Sequence, residues 1–106
     1  MISKLKELLG IKPAPDYNIL LKEGGVIIDV RSKAEFSGGH IKGSKNIPLQ
    51  SLNANPRLLK TKDKPVIFCC ASGMRSGSAK SLMNSKGYTN VYNGGSWSSL
   101  NSKISR

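Results

Sequence analysis

Along this chain, short unbroken apolar runs alternate with segments whose apolar positions recur every three or four residues. Two runs, VIIDV at 26–30 and PVIFC at 65–69, lack the apolar–polar alternation of a half-exposed strand. Each predicts a strand covered on both faces. A third, shorter strand is predicted at 90–92, just before Gly94 and Gly95. Helix signals surround these runs. At 3–9, Leu5, Leu8 and Leu9 fall on one side and lysines on the other, until Gly10, Pro13 and Pro15 stop the pattern. Asp16 is placed to cap a short helix carrying Tyr17, Leu20 and Leu21 that ends at Gly24-Gly25. Ser32 is placed to cap a turn of helix through Glu35 and Phe36, closed by Gly38-Gly39. Leu49, Leu52, Leu58 and Leu59 suggest a broken helix in which Pro56 opens a new turn. The spacing predicts a longer helix over 76–86, with Ala79, Leu82 and Met83 inward, Lys80 and Lys86 outward, and Gly87 at the left-handed C-cap. Trp97, Leu100 and Ile104 mark a last short helix.

Strands alternating with helices at this spacing describe a small α/β domain with a mainly parallel sheet. A length of 106 residues fits one domain with one modest core, and no repeat or long linker divides it. The N-terminus MISKLKELLGIKPAP breaks its apolar positions with Lys4, Lys6, Glu7 and Lys12, so it does not read as a secretory signal. No stretch approaches the roughly 20 apolar residues of a membrane span. The expected location is the cytoplasm, with no membrane partner.

Charge says more about partners than composition does. Lys and Arg number 17 against 6 Asp and Glu, a formal net charge of +11. Such a field attracts nucleic acid non-specifically, but it also steers small anions toward a cleft. The lysines are scattered and aromatics make up only 6% of the chain, so no specific nucleic-acid surface is expected. The two cysteines, Cys69 and Cys70, are neighbours and cannot staple the fold. With one histidine and no second thiolate pair they build no metal site either. A reactive thiol and a buried filler remain as readings.

Ligands of open α/β sheets gather beyond the carboxyl ends of strands, which is where CCASGMR falls. A tight loop feeding a helix N-terminus turns successive backbone N–H groups into one concavity. Gly73 permits a dihedral other residues resist, and Arg75 adds a permanent charge suited to an oxyanion. A cysteine at the rim of such a cradle has a depressed pKa. Cys69 should share a face with Ile67 inside a doubly covered sheet and act as filler, leaving Cys70 at the strand exit. The register carries the chemistry. From Cys70 the loop reads Cys-x-x-Gly-x-Arg, with room for an extra sulfur on the thiolate; from Cys69 five residues precede Arg75, as in cysteine-dependent phosphatases.

Three ordered blocks carry a resemblance over about residues 17–100. The first is IIDVRSKAEF at 27–36, continued by GHIKGS at 39–44 and NIPL at 46–49. The second is 66–76, and the third joins Gly87-Tyr88, Val91-Tyr92 and NGGSW at 93–97. Together they resemble a single-domain rhodanese, a thiosulfate sulfurtransferase. The resemblance implies a three-layer α/β domain, a central mainly parallel sheet flanked by helices, over residues 16–106. An N-terminal helical extension would occupy residues 1–15. It implies Cys70 as nucleophile, Arg75 closing the loop, and a substrate-binding loop of Ala71, Ser72, Gly73, Met74 and Arg75. The outer sulfur of thiosulfate, or of another small anionic or persulfide donor, would pass to Cys70 and then to cyanide or a thiol, including that of a redox protein. No cofactor or metal is implied. Asp29, Arg31, Glu35 and His40 would organise the frame, with Arg31 paired to an acid such as Glu35 and His40 anchoring the turn after the first strand. The loop carries no base between Cys70 and Arg75, where rhodaneses built for thiosulfate often place one. A rim of that kind, with Met74 exposed, also suits a protein persulfide or thiol partner. The alternatives are a catalytically silent module of the same fold that binds a partner, and a Cys69-dependent phosphatase or arsenate reductase.

Overall fold

In the computed structural model, which describes residues 15–59 and 62–104, strands and helices alternate around one parallel sheet. Asp16 caps α1 (Tyr17–Lys22) by accepting from the Asn18 N–H, and β1 (Val26–Asp29) follows. Ser32 and Glu35 form a reciprocal capping box at the start of α2 (Lys33–Ser37). The two-residue β2 (Lys45–Asn46) leads to α3 (Leu49–Ala54) and a 3₁₀ turn opened by Pro56 (Pro56–Leu58). Then come β3 (Val66–Cys70), α4 (Met74–Ser85), β4 (Val91–Ser96) and α5 (Trp97–Lys103). The helix expected at 3–9, and with it all but the last residue of the expected extension, lies outside the described residues.

The sheet order is β2-β1-β3-β4 with every pair parallel. Parallel strands need helical crossovers, and those crossovers cover both faces, which is why β1 and β3 read as unbroken apolar runs. Successive side chains of a strand point to opposite faces. Val66, Phe68 and Cys70 therefore join Leu52, Ala79 and Met83 in one core layer, under α3 and α4. Ile67 and Cys69 join Tyr17, Leu20, Ile41 and Leu100 in the other, under α1 and α5. Phe68 and Ile67 are both fully buried. Each such side chain contributes about 1.5–3 kcal/mol by leaving water.

Of the boundaries that differ from the sequence reading, three touch the same corner. β3 runs one residue further than expected and ends on Cys70. The following helix begins at Met74 rather than at residue 76, so Met74 and Arg75 form its first turn instead of belonging to the loop. β4 extends to Ser96 through a register shift: Phe68 pairs with Asn93 and Cys70 with Ser96, so Gly94 and Gly95 oppose the single residue Cys69. Gly94 fits there because a Cβ would stand 2.8 Å from Ile67 Cγ2 and 2.9 Å from Leu100 Cδ2.

Candidate active site

The alternation along β3 decides the fate of each cysteine. Cys69 points into the α1/α5 layer and is fully buried. Burial pushes its thiol up to about 12, with the Asp29 carboxylate adding to the rise, Arg31 opposing it, and Cys70 adding again. It is a small apolar filler. Cys70 points the other way, toward the first turn of α4, and its sulfur has polar company. The Gly73 N–H donates to Cys70 Sγ at 2.9 Å, and Ser76 Oγ lies 3.4 Å from it. Burial alone would push this thiol up. The Ser76 hydroxyl and the backbone N–H groups of Ser76, Gly73 and Ser72 outweigh burial and hold it below the ordinary value.

The loop geometry that delivers these donors depends on Gly73. It is the N-cap of α4 with φ +99°, a left-handed conformation costly for any residue with a Cβ. That turn folds residues 71–73 back over the strand end, so the N–H groups at the start of the helix face the sulfur rather than solvent. Ala71 and Ser72 are exposed, and Met74 is 79% exposed.

Arg75 is not a free cation. Its Nη1 and Nη2 donate to the two Glu35 carboxylate oxygens at 2.7 and 2.9 Å, a bidentate bridge from α4 to α2. The Arg75 guanidinium is the main reason the Glu35 carboxyl is held down to about 2, with the Ser32 backbone N–H helping. The expected pairing of Arg31 with Glu35 is therefore corrected. Arg31 pairs instead with Asp29, two residues back on the same face of extended chain. Its backbone N–H and Nε reach Asp29 Oδ1 at 3.0 Å, its Nη2 reaches Oδ2 at 2.8 Å, and Nη2 also donates to the Gly39 carbonyl at 2.6 Å. The guanidinium lies 4.9 Å from the Trp97 ring centroid. Asp29 is fully buried and Arg31 is 5% exposed, so a carboxylate at that depth requires this partner.

His40 is exposed and stacks on Phe36, with ring centroids 3.7 Å apart. Its Nδ1 lies 2.8 Å from the Phe36 carbonyl, which can only accept, so the proton sits on Nδ1. The ring thus holds the chain leaving α2, one element later than the turn expected after the first strand. Among the described residues no group of three His, Cys, Asp or Glu side chains could hold a metal ion.

Two residues of this site escaped the sequence reading. Ser76 is fully buried and donates to Asn93 Oδ1 at 2.6 Å. Asn93 Nδ2 donates to the Gly73 carbonyl at 3.1 Å, so β4 braces the left-handed turn beneath the thiol. The signal was a polar residue preceding a Gly-Gly pair, and it became legible only once the bulge in β4 was known. Beside the loop, Val30, Ser32, Pro48, Leu49, Gln50 and Arg75 line a pocket of about 250 Å³. Its one charged wall is the guanidinium already bound to Glu35.

Residues 14–102 match the model of the rhodanese-like domain. YqhL of Bacillus subtilis, an uncharacterized protein, is 45% identical over 67 residues, 63% of this chain and 52% of its own length. The chain thus spans about half the length of that relative. The thiosulfate sulfurtransferase GlpE of Pseudomonas fluorescens is 34% identical over 80 residues, covering 76% of this chain and 72% of its own. Among solved structures, the human single-domain sulfurtransferase TSTD1 superposes with a TM-score of 0.69 at 29% identity, over 86% of this chain and 94% of its own. With its parallel sheet, its capped loop after β3 and this match over most of its length, the chain belongs to the rhodanese-like domain family.

Proposed function

We propose that the chain is a cytoplasmic sulfurtransferase that carries sulfane sulfur on Cys70. The observation that carries this reading is the contact of the Gly73 N–H with Cys70 Sγ at 2.9 Å, at a thiol held below its ordinary pKa. The thiolate attacks the outer sulfur of thiosulfate, or of another persulfide donor. The donor's S–S bond breaks, and the electron pair leaves on sulfite when the donor is thiosulfate, or on the donor's own thiolate when it is a persulfide. Cys70 then bears a persulfide whose terminal sulfur is anionic and lies in the cradle of residues 71–75. A thiolate acceptor, from a small molecule or a redox protein, or else cyanide, attacks that terminal sulfur and the Cys70 thiolate departs. Arg75 closes the loop with its guanidinium oriented by Glu35, and no cofactor takes part. GlpE, named a thiosulfate sulfurtransferase, supports the substrate class. A phosphatase acting through Cys69 has the opposite support, since that thiol sits in the apolar core and is pushed up to about 12.

The test is an intact mass after exposure to thiosulfate and removal of the excess. Wild type and Cys69→Ala gain the mass of one sulfur atom and lose it on adding cyanide, whereas Cys70→Ser gains nothing. An adduct that survives in Cys70→Ser, or none on the reduced wild type with any sulfane donor, overturns the reading.

A further inference from the structure

The Ser76 hydroxyl has one hydrogen and three neighbours that would take it: Asn93 Oδ1 at 2.6 Å, the Gly73 carbonyl at 3.1 Å and Cys70 Sγ at 3.4 Å. Which neighbour holds it follows from the asparagine. Gly95 N–H donates to Asn93 Oδ1 at 2.9 Å, and Asn93 Nδ2 donates to the Gly73 carbonyl. A backbone donor and a backbone acceptor thus fix the orientation of the amide. Oδ1 can only accept, so at 2.6 Å the Ser76 hydrogen points to Asn93, away from sulfur. In this arrangement the Cys70 S–H donates to Ser76 Oγ. The seat is shaped for the amide: α4 carries Gly77 at the end of its first turn, where a Cβ would stand 3.2 Å from Asn93 Nδ2.

An anionic Cys70 sulfur has no hydrogen to give and needs donors. Gly73 N–H is fixed in place, and the Ser76 hydroxyl can help only by swinging its hydrogen from Asn93 to sulfur. We propose that Asn93 is a positioning residue for Cys70, holding the Ser76 hydrogen while the sulfur is protonated or persulfidated and yielding it when the sulfur is a bare thiolate. Asn93 thereby sets how readily the thiolate forms and how strongly it is drawn back to that form as the sulfur leaves. No proton is transferred along this path. Ser76 keeps its hydrogen and only the direction changes, while the Cys70 proton departs to solvent. The inference deepens the reading of Cys70 as the sulfur carrier.

The other titratable or charged groups near the thiol stay constant in the test. They are Arg75 with its partner Glu35 and the Asp29–Arg31 pair, while Cys69 in the same strand is replaced in every variant. β4 (Val91–Ser96) and α3 (Leu49–Ala54) carry no charged side chain.

The experiment is a double-mutant cycle on the Cys70 ionisation constant, taken from the pH dependence of alkylation by iodoacetamide in a Cys69→Ala background. Asn93→Ala is made with Ser76 intact and with Ser76→Ala. Removing Asn93 also removes its brace on Gly73, but that loss is common to both arms and cancels in their ratio. The ionisation constant should rise about three- to tenfold more with Ser76 present than with alanine there, the size of one contested hydrogen bond. Equal changes in the two arms overturn the proposal. Asn93 is exposed, so its truncation leaves no buried cavity. If Asn93→Ala nevertheless unfolds, Asn93→Asp gives the converse: a carboxylate holds the hydrogen harder, and the constant must fall further with Ser76 than without it, equal falls again overturning the idea. Alkylation needs no sulfur donor, so a protein that shows this coupling yet never accepts sulfur refutes the proposed activity and leaves this inference standing.

Discussion

Glu35 accepts from the Ser32 N–H at 3.1 Å and from both terminal nitrogens of Arg75, so one carboxylate closes the cap of α2 and ties it to α4. Its pKa, lowered from 4.5 to about 2 chiefly by Arg75, makes that tie dependent on acid. Because the folded value lies below the unfolded one, the contribution is fully present above about pH 4.5 and is lost as pH falls toward 2. The two side chains are 39% and 38% exposed, so water and salt screen the pair and its effect is modest. Glu35→Gln should therefore unfold at a lower urea concentration than wild type near neutrality, and the gap should close between pH 4.5 and 2. A gap that persists at pH 2 would show that the glutamine is disruptive for some other reason than lost charge. The Asp29–Arg31 pair is the contrasting case. It is buried, and removing either partner strands the other at a cost of about 3–5 kcal/mol.

At the scale of elements, the site is a junction of β3, α4 and the bulged β4, and two glycines separate its shape from its support. Gly73 stands at φ +99° with its N–H on Cys70 Sγ. Gly94 faces the opposite core layer, against Ile67 and Leu100. Alanine at 73 strains the backbone by about 1–3 kcal/mol, and alanine at 94 overpacks the core by a similar amount, about 1–3 kcal/mol. Only Gly73→Ala should slow Cys70 alkylation at neutral pH, because only it turns the N–H away from sulfur. Equal slowing in both variants would mean that the thiol responds to general loosening of the fold. The same junction marks the limit of what the sequence could tell. Apolar runs located β1 and β3, and period-two alternation correctly put Cys69 in the core with Ile67. Ser32 was legible as the cap of α2, whereas the return bond from Glu35 that completes the capping box was not read. The partners of Arg31 and Arg75 were not legible, because pairing across elements depends on where α2 and α4 meet in space. Asn93 was hidden by a bulge that no periodicity records, since two glycines opposite one residue look in sequence like the end of a strand.

Across the whole molecule, the net charge of +11 and the local chemistry of the loop act on an approaching anion in different ways. No residue between Cys70 and Arg75 is basic, and Arg75 itself is neutralised by Glu35. On the proposed reading, a dianion such as thiosulfate would be drawn by the field of the scattered lysines and held at the end by backbone N–H groups, with no dedicated cation at the rim. Long-range attraction is screened over about 10 Å at 0.1 M salt, whereas a buried N–H contact is not. Loading of Cys70 by thiosulfate should accordingly slow by about tenfold between low and high ionic strength. Alkylation of the same sulfur by uncharged iodoacetamide should hardly change. If both rates ignore salt, the charge has no part in delivering the donor, and specificity rests in the pocket beside Leu49 and Gln50. If both fall together, salt is acting on the thiolate itself rather than on the approach of the anion. A fall for thiosulfate alone would place donor capture in the field of the whole chain and sulfur retention in the backbone N–H groups of the loop.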